Sequence, residues 1–389
     1  MITRMINGDK VIWVLVIILS AISLLAIYSS TTSLAWREQN GNTEYYLIRQ
    51  FFFVVLGLLI MFSVHRMNYI YFSRAAQFLF YASIVLLIAT LLFGPVINGA
   101  RRYLLINLPG LGMITFQTSD MAKLALMMYL ARFLAKNQDE IRNFKNGFIK
   151  IIVPILVICG LILPSNFSTA AMLFAASLGI LYIGRASVKH IAALISIGAL
   201  GFLMLLMVAK FQPELLPRAT TWYNRAEAFF KGTSEPEYQV TISKMAIAGG
   251  GLLGKMPGNS TQRNFLPHSY SDFVYAIIIE EYGIVGGAFV VLLFVVLMFR
   301  SIKIARLCQT KFGSFLVVGI SFLMVFQALI NMGVAVNLLP VTGQTLPFIS
   351  MGGTSFWFSC ASLGIILSVS RSIEEKQPAE KNNISYATA

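Results

Sequence analysis

The chain is poor in what soluble proteins carry on their surfaces. Only 12% of its 389 residues are charged, about half the share of an ordinary globular domain. A freely water-soluble protein is therefore excluded. Histidine and cysteine are equally scarce, at three each. Cys159, Cys308 and Cys360 lie far apart, so neither a disulfide framework nor zinc-type spacing is present. His65, His190 and His268 are too scattered to form a histidine metal cluster. Acidic residues number 16 against 30 Lys and Arg, a net charge of +14. That charge does not indicate nucleic acid, because the basic residues punctuate apolar runs and form no aromatic-laced patch. No cleavable leader is expected either. The first apolar run, Val11 to Tyr28, is too long for a signal core and lacks an Ala-x-Ala site, so it reads as a retained first span.

What the chain has instead is long apolar runs, and 57% of it is hydrophobic. Repeated runs of about 20 residues mark membrane-crossing helices. A bilayer admits only helices or closed barrels, and these runs are far too long for barrel strands. Spans are predicted at 11–30, 48–65, 76–94, 118–135, 148–163, 169–184, 190–209, 273–299, 313–336 and 355–370. Residues 148–184 are nearly all apolar, but Pro164-Ser165-Asn166-Phe167-Ser168 breaks them into two short spans joined by a tight turn. With the N-terminus inside, the inner segments carry 17 Lys and Arg and the short outer segments 4, the positive-inside pattern. One span in place of two at 148–184 would turn the basic segments 300–312 and 371–389 outward. The expected fold is all-α: a polytopic membrane protein of about ten transmembrane helices with both termini cytoplasmic. One large extracytoplasmic loop, 210–271, lies between spans seven and eight. Residues 1–370 read as a single membrane domain and 371–389 as a disordered cytoplasmic tail. In the large loop Trp222, Tyr223, Phe229, Phe230 and Tyr238 alternate with Arg218, Arg225, Lys231 and Lys244, the composition of an element that touches lipid head groups.

Against this background Asp272 stands out. It closes the large loop and opens an apolar helix, in Phe265-Leu266-Pro267-His268-Ser269-Tyr270-Ser271-Asp272-Phe273-Val274. An ionisable group at a membrane mouth is expensive, so it is a functional candidate by default. It is also what a helix N-cap looks like. The two readings are compatible, since a helix end can fix a carboxylate and leave one oxygen for chemistry. Glu280 and Glu281 follow two turns on at apparent membrane depth, where they should face the protein interior and pair with a cation or backbone donors. Asp120 and Lys123 share one face of span four and read either as a self-neutralising ion pair or as part of a site. Arg101 and Arg102, in a short outer segment, read as head-group anchors or as a fork for a phosphate-bearing lipid. Gly249-Gly250-Gly251-Leu252-Leu253-Gly254-Lys255-Met256 imitates a phosphate-binding loop. However, Met256 stands where Ser or Thr would hold magnesium and no βαβ unit surrounds it, so the glycines mark tight turns and close backbone approach. The segment Leu339 to Ser355 breaks helix repeatedly with prolines and glycines yet is apolar, which favours the wall of a cavity over an ordinary loop.

Together these segments resemble the SEDS family of bacterial cell-wall polymerases over nearly the whole chain. Leu266 to Gly286 is similar to the family's Leu-Pro-Glu-x-His-Thr-Asp-Phe segment and the Gly-Glu-Glu-x-Gly-x-x-Gly that follows it. Asn98 to Tyr103 is similar to its Asn-Gly-Ala-x-Arg-Trp, Gln117 to Lys123 to its Gln-Pro-Ser-Glu-x-x-Lys, and Tyr238-Gln239 to its Tyr-Gln. Gly343 to Ser355 is similar to its Gly-x-x-Leu-Pro-x-x-Ser-Tyr-Gly-Gly-Ser-Ser. Gln344 to Ser350 looks more like the division branch, FtsW, than the elongation branch, RodA. His268 and Tyr270 depart from the family's usual Glu and His, Thr118 and Asp120 from its Pro and Glu, Ser165-Asn166 from its Pro-Asp, and Met351 from its Tyr. Asp272 matches.

The resemblance implies a membrane-embedded inverting glycosyltransferase at the outer face of the bacterial cytoplasmic membrane, acting at the division septum. It polymerises lipid II, the undecaprenyl-pyrophosphate-linked disaccharide-pentapeptide, into glycan strands. Asp272 is then the expected general base. Arg101, Arg102, Asp120, Lys123, Gln239, Glu280, Glu281, Ser350, Gly352 and Gly353, with Arg218 and Arg225 of the loop, are the expected substrate-binding residues. The leaving pyrophosphate needs cationic stabilisation, which arginines, Lys123 or a loosely held divalent cation, Mg or Mn, could supply; no metal-ligating residue is assigned. A class B penicillin-binding protein transpeptidase and other division proteins are the implied partners. Two other functions remain open on the residues alone: a lipid II flippase or transporter, and a non-catalytic scaffold of the division machinery.

Overall fold

In the computed structural model residues 7–387 are described, except 39, 98, 109–111, 212–216, 232–234 and 268. The motif residues Asn98 and His268 thus lie outside the described residues. At some helical and strand positions, Arg218 among them, only the backbone is described. Each of the ten predicted runs forms a helix: α1 (Lys10–Ser30), α3 (Thr43–Arg66), α4 (Tyr69–Phe93), α5 (Thr118–Asn137), α6 (Ile149–Ile162), α7 (Phe167–Ile183), α8 (Val188–Phe211), α11 (Val274–Leu307), α12 (Lys311–Ala335) and α13 (Thr354–Ala387). A short α2 (Thr32–Glu38) follows α1. The chain is a nearly all-helical polytopic membrane protein. Among the described residues eight helices are long and apolar enough to cross a bilayer, α6 being counted together with the π-helical turn Phe144–Phe148 that runs into it; α7 is a shorter apolar helix, and α5 is less apolar because it carries Asp120, Lys123, Arg132 and Lys136.

Side-chain caps explain where several helices start. Asp9, Asn42, Asn68, Asn166 and Thr310 each accept a backbone N–H of the first turn of α1, α3, α4, α7 and α12. Asn166 sits in the Pro164–Ser168 break, so the turn read from the sequence starts α7. The core is centred on α5 and α12. Around them α4 packs on α5, α11 on α12, α10 on α11, and α13 on α3. Within α8 only Ile191 and Ala209 are buried, so most of that helix is left to lipid.

Three features were not foreseen. Residues 96–117 form two antiparallel hairpins, β1 (Val96–Ile97) with β2 (Ala100–Arg101) and β3 (Tyr103–Leu108) with β4 (Gly112–Gln117). The 210–271 segment holds two helices, α9 (Pro217–Lys231) and α10 (Glu235–Gly250). The predicted span 273–299 is broken at Gly283, where φ is 71° inside α11. The nine residues of α11 before the break, 274–282, form a short, mostly buried half-helix. The backbone of Leu252 to Gly254 packs directly on that break, leaving no room for a Cβ at Gly254 or Gly283. This is the close backbone approach expected of the glycine-rich stretch.

The two ends of the bundle are sorted as the charge pattern predicts. At one end the 95–117, 164–168, 210–272 and 337–354 segments touch one another: Arg102 Nε donates to Ser165 O (2.9 Å), Arg225 Nη1 to Val341 O (3.3 Å), and the Met351 amide to Tyr270 O (2.9 Å). At the other end the Gly8 amide donates to Glu374 (2.6 Å), Arg300 pairs with Asp9 (2.5 Å), Tyr69 bonds Thr310 (3.1 Å) and Arg371 donates to Arg66 O (3.0 Å).

Candidate active site

Asp272 lies in a turn over residues 269–273, just before α11 begins. The N-cap position is Phe273, which makes no side-chain cap bond, so Asp272 stands one residue outside the cap it resembled. Three consecutive carbonyls hold this turn. Tyr270 O accepts the Met351 amide (2.9 Å), Ser271 O accepts Ser350 Oγ (2.5 Å), and Asp272 O accepts Asn331 Nδ2 (2.9 Å). From the other side Ser269 Oγ donates to Ser30 O at the end of α1 (3.1 Å). The carboxylate itself is half-buried and faces the Gly343 turn, where a Cβ would sit 3.6 Å from Oδ2.

The clasp comes from the irregular segment between α12 and α13. Gln344, Leu346, Phe348, Ile349 and Ser350 are buried, as the cavity-wall reading requires, and Pro347 lines a narrow cavity with Asp120, Lys123 and Gln327. Buried irregular backbone must find partners. Asn331 Nδ2 also donates to Gln344 O (2.6 Å), Gln327 Nε2 to Thr345 O (2.9 Å), and the Leu346 amide to Ser350 Oγ (2.8 Å). Phe348 is held at φ 64°. A bulky residue in the left-handed region is strained, and such strain gathers at functional sites.

Asp120 and Lys123 lie beneath this segment, both buried and paired at 2.7 Å. Lys123 Nζ also donates to Gln327 Oε1 (2.9 Å). The self-neutralising reading of the pair is therefore what the geometry realises, although Asp120 Oδ2 is buried without a described partner. Above them sits Tyr103, on β3. Burial, and then the negative charges of Asp120, Asp272 and Tyr270, push its hydroxyl pKa up, while Arg102 opposes them. The phenol, protonated at neutral pH like any tyrosine, is able to donate there. One tyrosine thus lies within electrostatic reach of Arg102, Asp120 and the candidate base.

Residues 9–375 match the FtsW/RodA/SpoVE family, described as cell cycle proteins. The chain belongs to this family. It is 31% identical over 380 residues to stage V sporulation protein E of Bacillus subtilis, covering 95% of this chain and 99% of that one. It is 31% identical over 369 residues to the probable peptidoglycan glycosyltransferase FtsW of Haemophilus influenzae, covering 93% and 90%. Among solved structures, a peptidoglycan synthase complex described for the coordination of polymerization and crosslinking contains a chain that superposes with a TM-score of 0.76 at 25% identity, covering 94% of this chain and 98% of that one. The rod shape determining protein RodA of Thermus thermophilus has the same fold, with a TM-score of 0.67 at 24% identity over 94% of this chain and 97% of its own.

In this FtsW/RodA/SpoVE chain the expected site residues separate into groups. Ser350 holds the Asp272 turn. Gly353, at φ 52°, ends the clasp beside Gly352. Arg225 reaches Val341 O from α9, and Trp222 on the same helix packs on Phe167 with ring centroids 4.7 Å apart. Arg102 is fixed by Ser165. Arg101 is exposed and donates to the carbonyls of Leu91 and Leu92. Gln239 is half-buried on α10.

Glu280 and Glu281 lie elsewhere, where they tie the 255–263 loop to α11. Glu280 accepts from Lys255 Nζ (2.7 Å), Ser260 Oγ (2.5 Å), and the amide and hydroxyl of Thr261 (3.1 and 2.9 Å). Glu281 accepts from Ser29 Oγ, to which Arg263 also donates (3.0 Å). These are the cation and backbone donors expected for two acids at membrane depth. Sequence reasoning missed Asn331 and Gln327, because a single amide in an apolar helix carries no pattern, and it quoted Gln344 and Tyr103 only as parts of motifs. Among the described residues no three His, Cys, Asp or Glu side chains lie close enough to hold a metal ion.

Proposed function

We propose that Asp272 is the general base of a glycosyltransferase that polymerises lipid II at the outer face of the cytoplasmic membrane. The chain is a multi-pass membrane protein and a peptidoglycan glycosyltransferase of the FtsW kind, as its relatives are named. The acceptor sugar's 4-hydroxyl attacks the donor's anomeric carbon. Its proton passes to the Asp272 carboxylate, the bond to the pyrophosphate oxygen breaks, and the configuration inverts. A sugar hydroxyl is a poor nucleophile, so a positioned base is worth roughly a hundred- to ten-thousandfold in rate. Glycosidases add a second carboxyl group as acid. Pyrophosphate leaves as a stable anion, so one base suffices and the departing charge needs cations. Arg102 and Arg225 lie on the elements around the turn, and Arg101 at the hairpin edge. The Lys123 charge is already matched by Asp120.

One observation carries this reading: three successive carbonyls, of Tyr270, Ser271 and Asp272, are each pinned from outside the turn. A backbone turn held this firmly fixes the direction in which the Asp272 side chain leaves it, so the base needs little reorganisation in the transition state. The test is polymerisation of purified lipid II by wild type, Asp272→Asn and Asp272→Ala. Both variants should lose at least about a hundredfold in rate while folding normally. Full activity in both would remove the assignment. Lipid II crossing vesicles without polymer formation would make the protein a flippase instead. Work at the division septum beside a class B penicillin-binding protein transpeptidase is the reading supported by the FtsW relatives and by the structural likeness to a synthase complex that coordinates polymerization and crosslinking.

A further inference from the structure

At the end of the bundle remote from Asp272, the segments following α5, α7 and α11 meet around an open hollow of about 470 Å³ lined by Gln138, Asp139, Arg142, Arg185 and Lys311. The full 20-residue length of α5, about 30 Å, separates it from the Asp120 end. Three cations face one carboxylate there, and all four charged groups are exposed. Among the described residues none of these cations forms a salt bridge. The cluster is assembled from three separate stretches of chain, the last of them the first residue of α12, rather than from one basic run, so its convergence is a property of the fold.

Two local features add to it. Arg185 follows the end of α7 with φ 67°, held by its backbone N–H, which donates to Tyr182 O (3.1 Å), and by that of Ala186, which donates to Leu181 O (3.0 Å). Glycine adopts this conformation without steric cost and usually occupies it after a helix; here an arginine does, aimed at the hollow. Lys311 is the first residue of α12, so the amide-rich, positive end of a long helix lies behind its ammonium. The chain segments that supply these residues also expose apolar side chains, Phe144, Tyr182, Ile183 and Val188.

We propose that this hollow binds the phosphodiester of an anionic phospholipid from the inner leaflet, with Arg142, Arg185 and Lys311 around the phosphate and these exposed apolar side chains against the acyl chains. Guanidinium forks match phosphate oxygens, and basic pockets between transmembrane helices on the cytoplasmic side favour acidic head groups. The exposed apolar side chains favour a lipid over free phosphate. The leaflet rests on the orientation given by the charge pattern; the site does not depend on the catalytic role of Asp272.

The full-length protein, delipidated in mild detergent, is titrated with phosphatidylglycerol, phosphatidylcholine or inorganic phosphate, and retained ligand is counted by native mass spectrometry. Wild type should prefer phosphatidylglycerol. The triple variant Arg142→Gln/Arg185→Gln/Lys311→Gln should bind it roughly a hundredfold more weakly, with phosphatidylcholine unchanged. The charge-preserving variant Arg142→Lys/Arg185→Lys/Lys311→Arg should retain most of the affinity, which separates lost charge from lost folding. Equal phosphatidylglycerol affinity in wild type and the neutral variant overturns the site. Charge-dependent binding of inorganic phosphate without that of the lipid overturns the lipid assignment.

Discussion

Asn331 is neither an acid nor a base and carries no charge, yet its amide joins α12 to both Asp272 O and Gln344 O. It acts as a positioning residue. Asn331→Leu should lower kcat by about a hundredfold, the scale of an ångström's misplacement at a reacting group. KM should change little, because lipid II binding does not run through this amide. Steady-state polymerisation separates the two constants, and a change confined to KM would refute the positioning role. The contrast with Asp272 shows what was legible residue by residue. A carboxylate at a membrane mouth is rare enough to announce itself. An asparagine within α12 is not, because its importance comes from two carbonyls that only the folded chain brings to it. Glu280 and Glu281 are an intermediate case. Their interior partners were foreseen, but the loop they fasten became visible only once Lys255 and Ser260 to Gln262 were placed beside them.

At the scale of the element, the broken α11 decides how the Asp272 turn is supported. The half-helix before Gly283 is braced by the loop that Glu280 holds. Glu280→Leu leaves the Thr261 and Gln262 amides and the Ser260 hydroxyl without their acceptor, at a cost of about 3 kcal/mol. A lowered thermal midpoint in detergent should follow, with activity reduced in proportion to folded protein. Gly283→Ala should be at least as damaging, because it combines a left-handed backbone with a clash against Leu252. Wild-type stability in Gly283→Ala would show that the break is not needed. Sequence alone read 273–299 as one continuous span because hydropathy is blind to a single glycine's φ. It also left the 95–117 hairpins unassigned. Strand pairing such as Leu104 with Phe116 depends on register, which composition does not encode.

At the scale of the whole molecule, the alternation of basic and non-basic segments predicted which of them should meet, and the contacts at the two ends follow that division. Orientation in the membrane can be read directly. In a Cys308→Ser background, Met256→Cys lies on an exposed loop and should react with a membrane-impermeant maleimide on intact spheroplasts. Lys303→Cys should react only after permeabilisation. The reverse pattern would invert the topology and place Asp272 on the wrong side for a substrate displayed outside. The bundle was legible at this scale because membrane insertion follows simple rules of hydropathy and charge. The clasp between loop 337–353 and the Asp272 turn was not, because it depends on hydrogen bonds between segments some 80 residues apart.

The packing of α13 on α3 has a consequence for biosynthesis. Gly57 and Gly364 let these helices approach until Phe356 and Cys360 fill the surface at Gly57 and Val64 the one at Gly364. α3 is made about 300 residues before its mate, and until then the face that α13 covers lacks the partner it has in the finished fold. A nascent chain stalled before α13 therefore displays an unfilled seam, a mark by which a membrane protease can tell unfinished copies from finished ones.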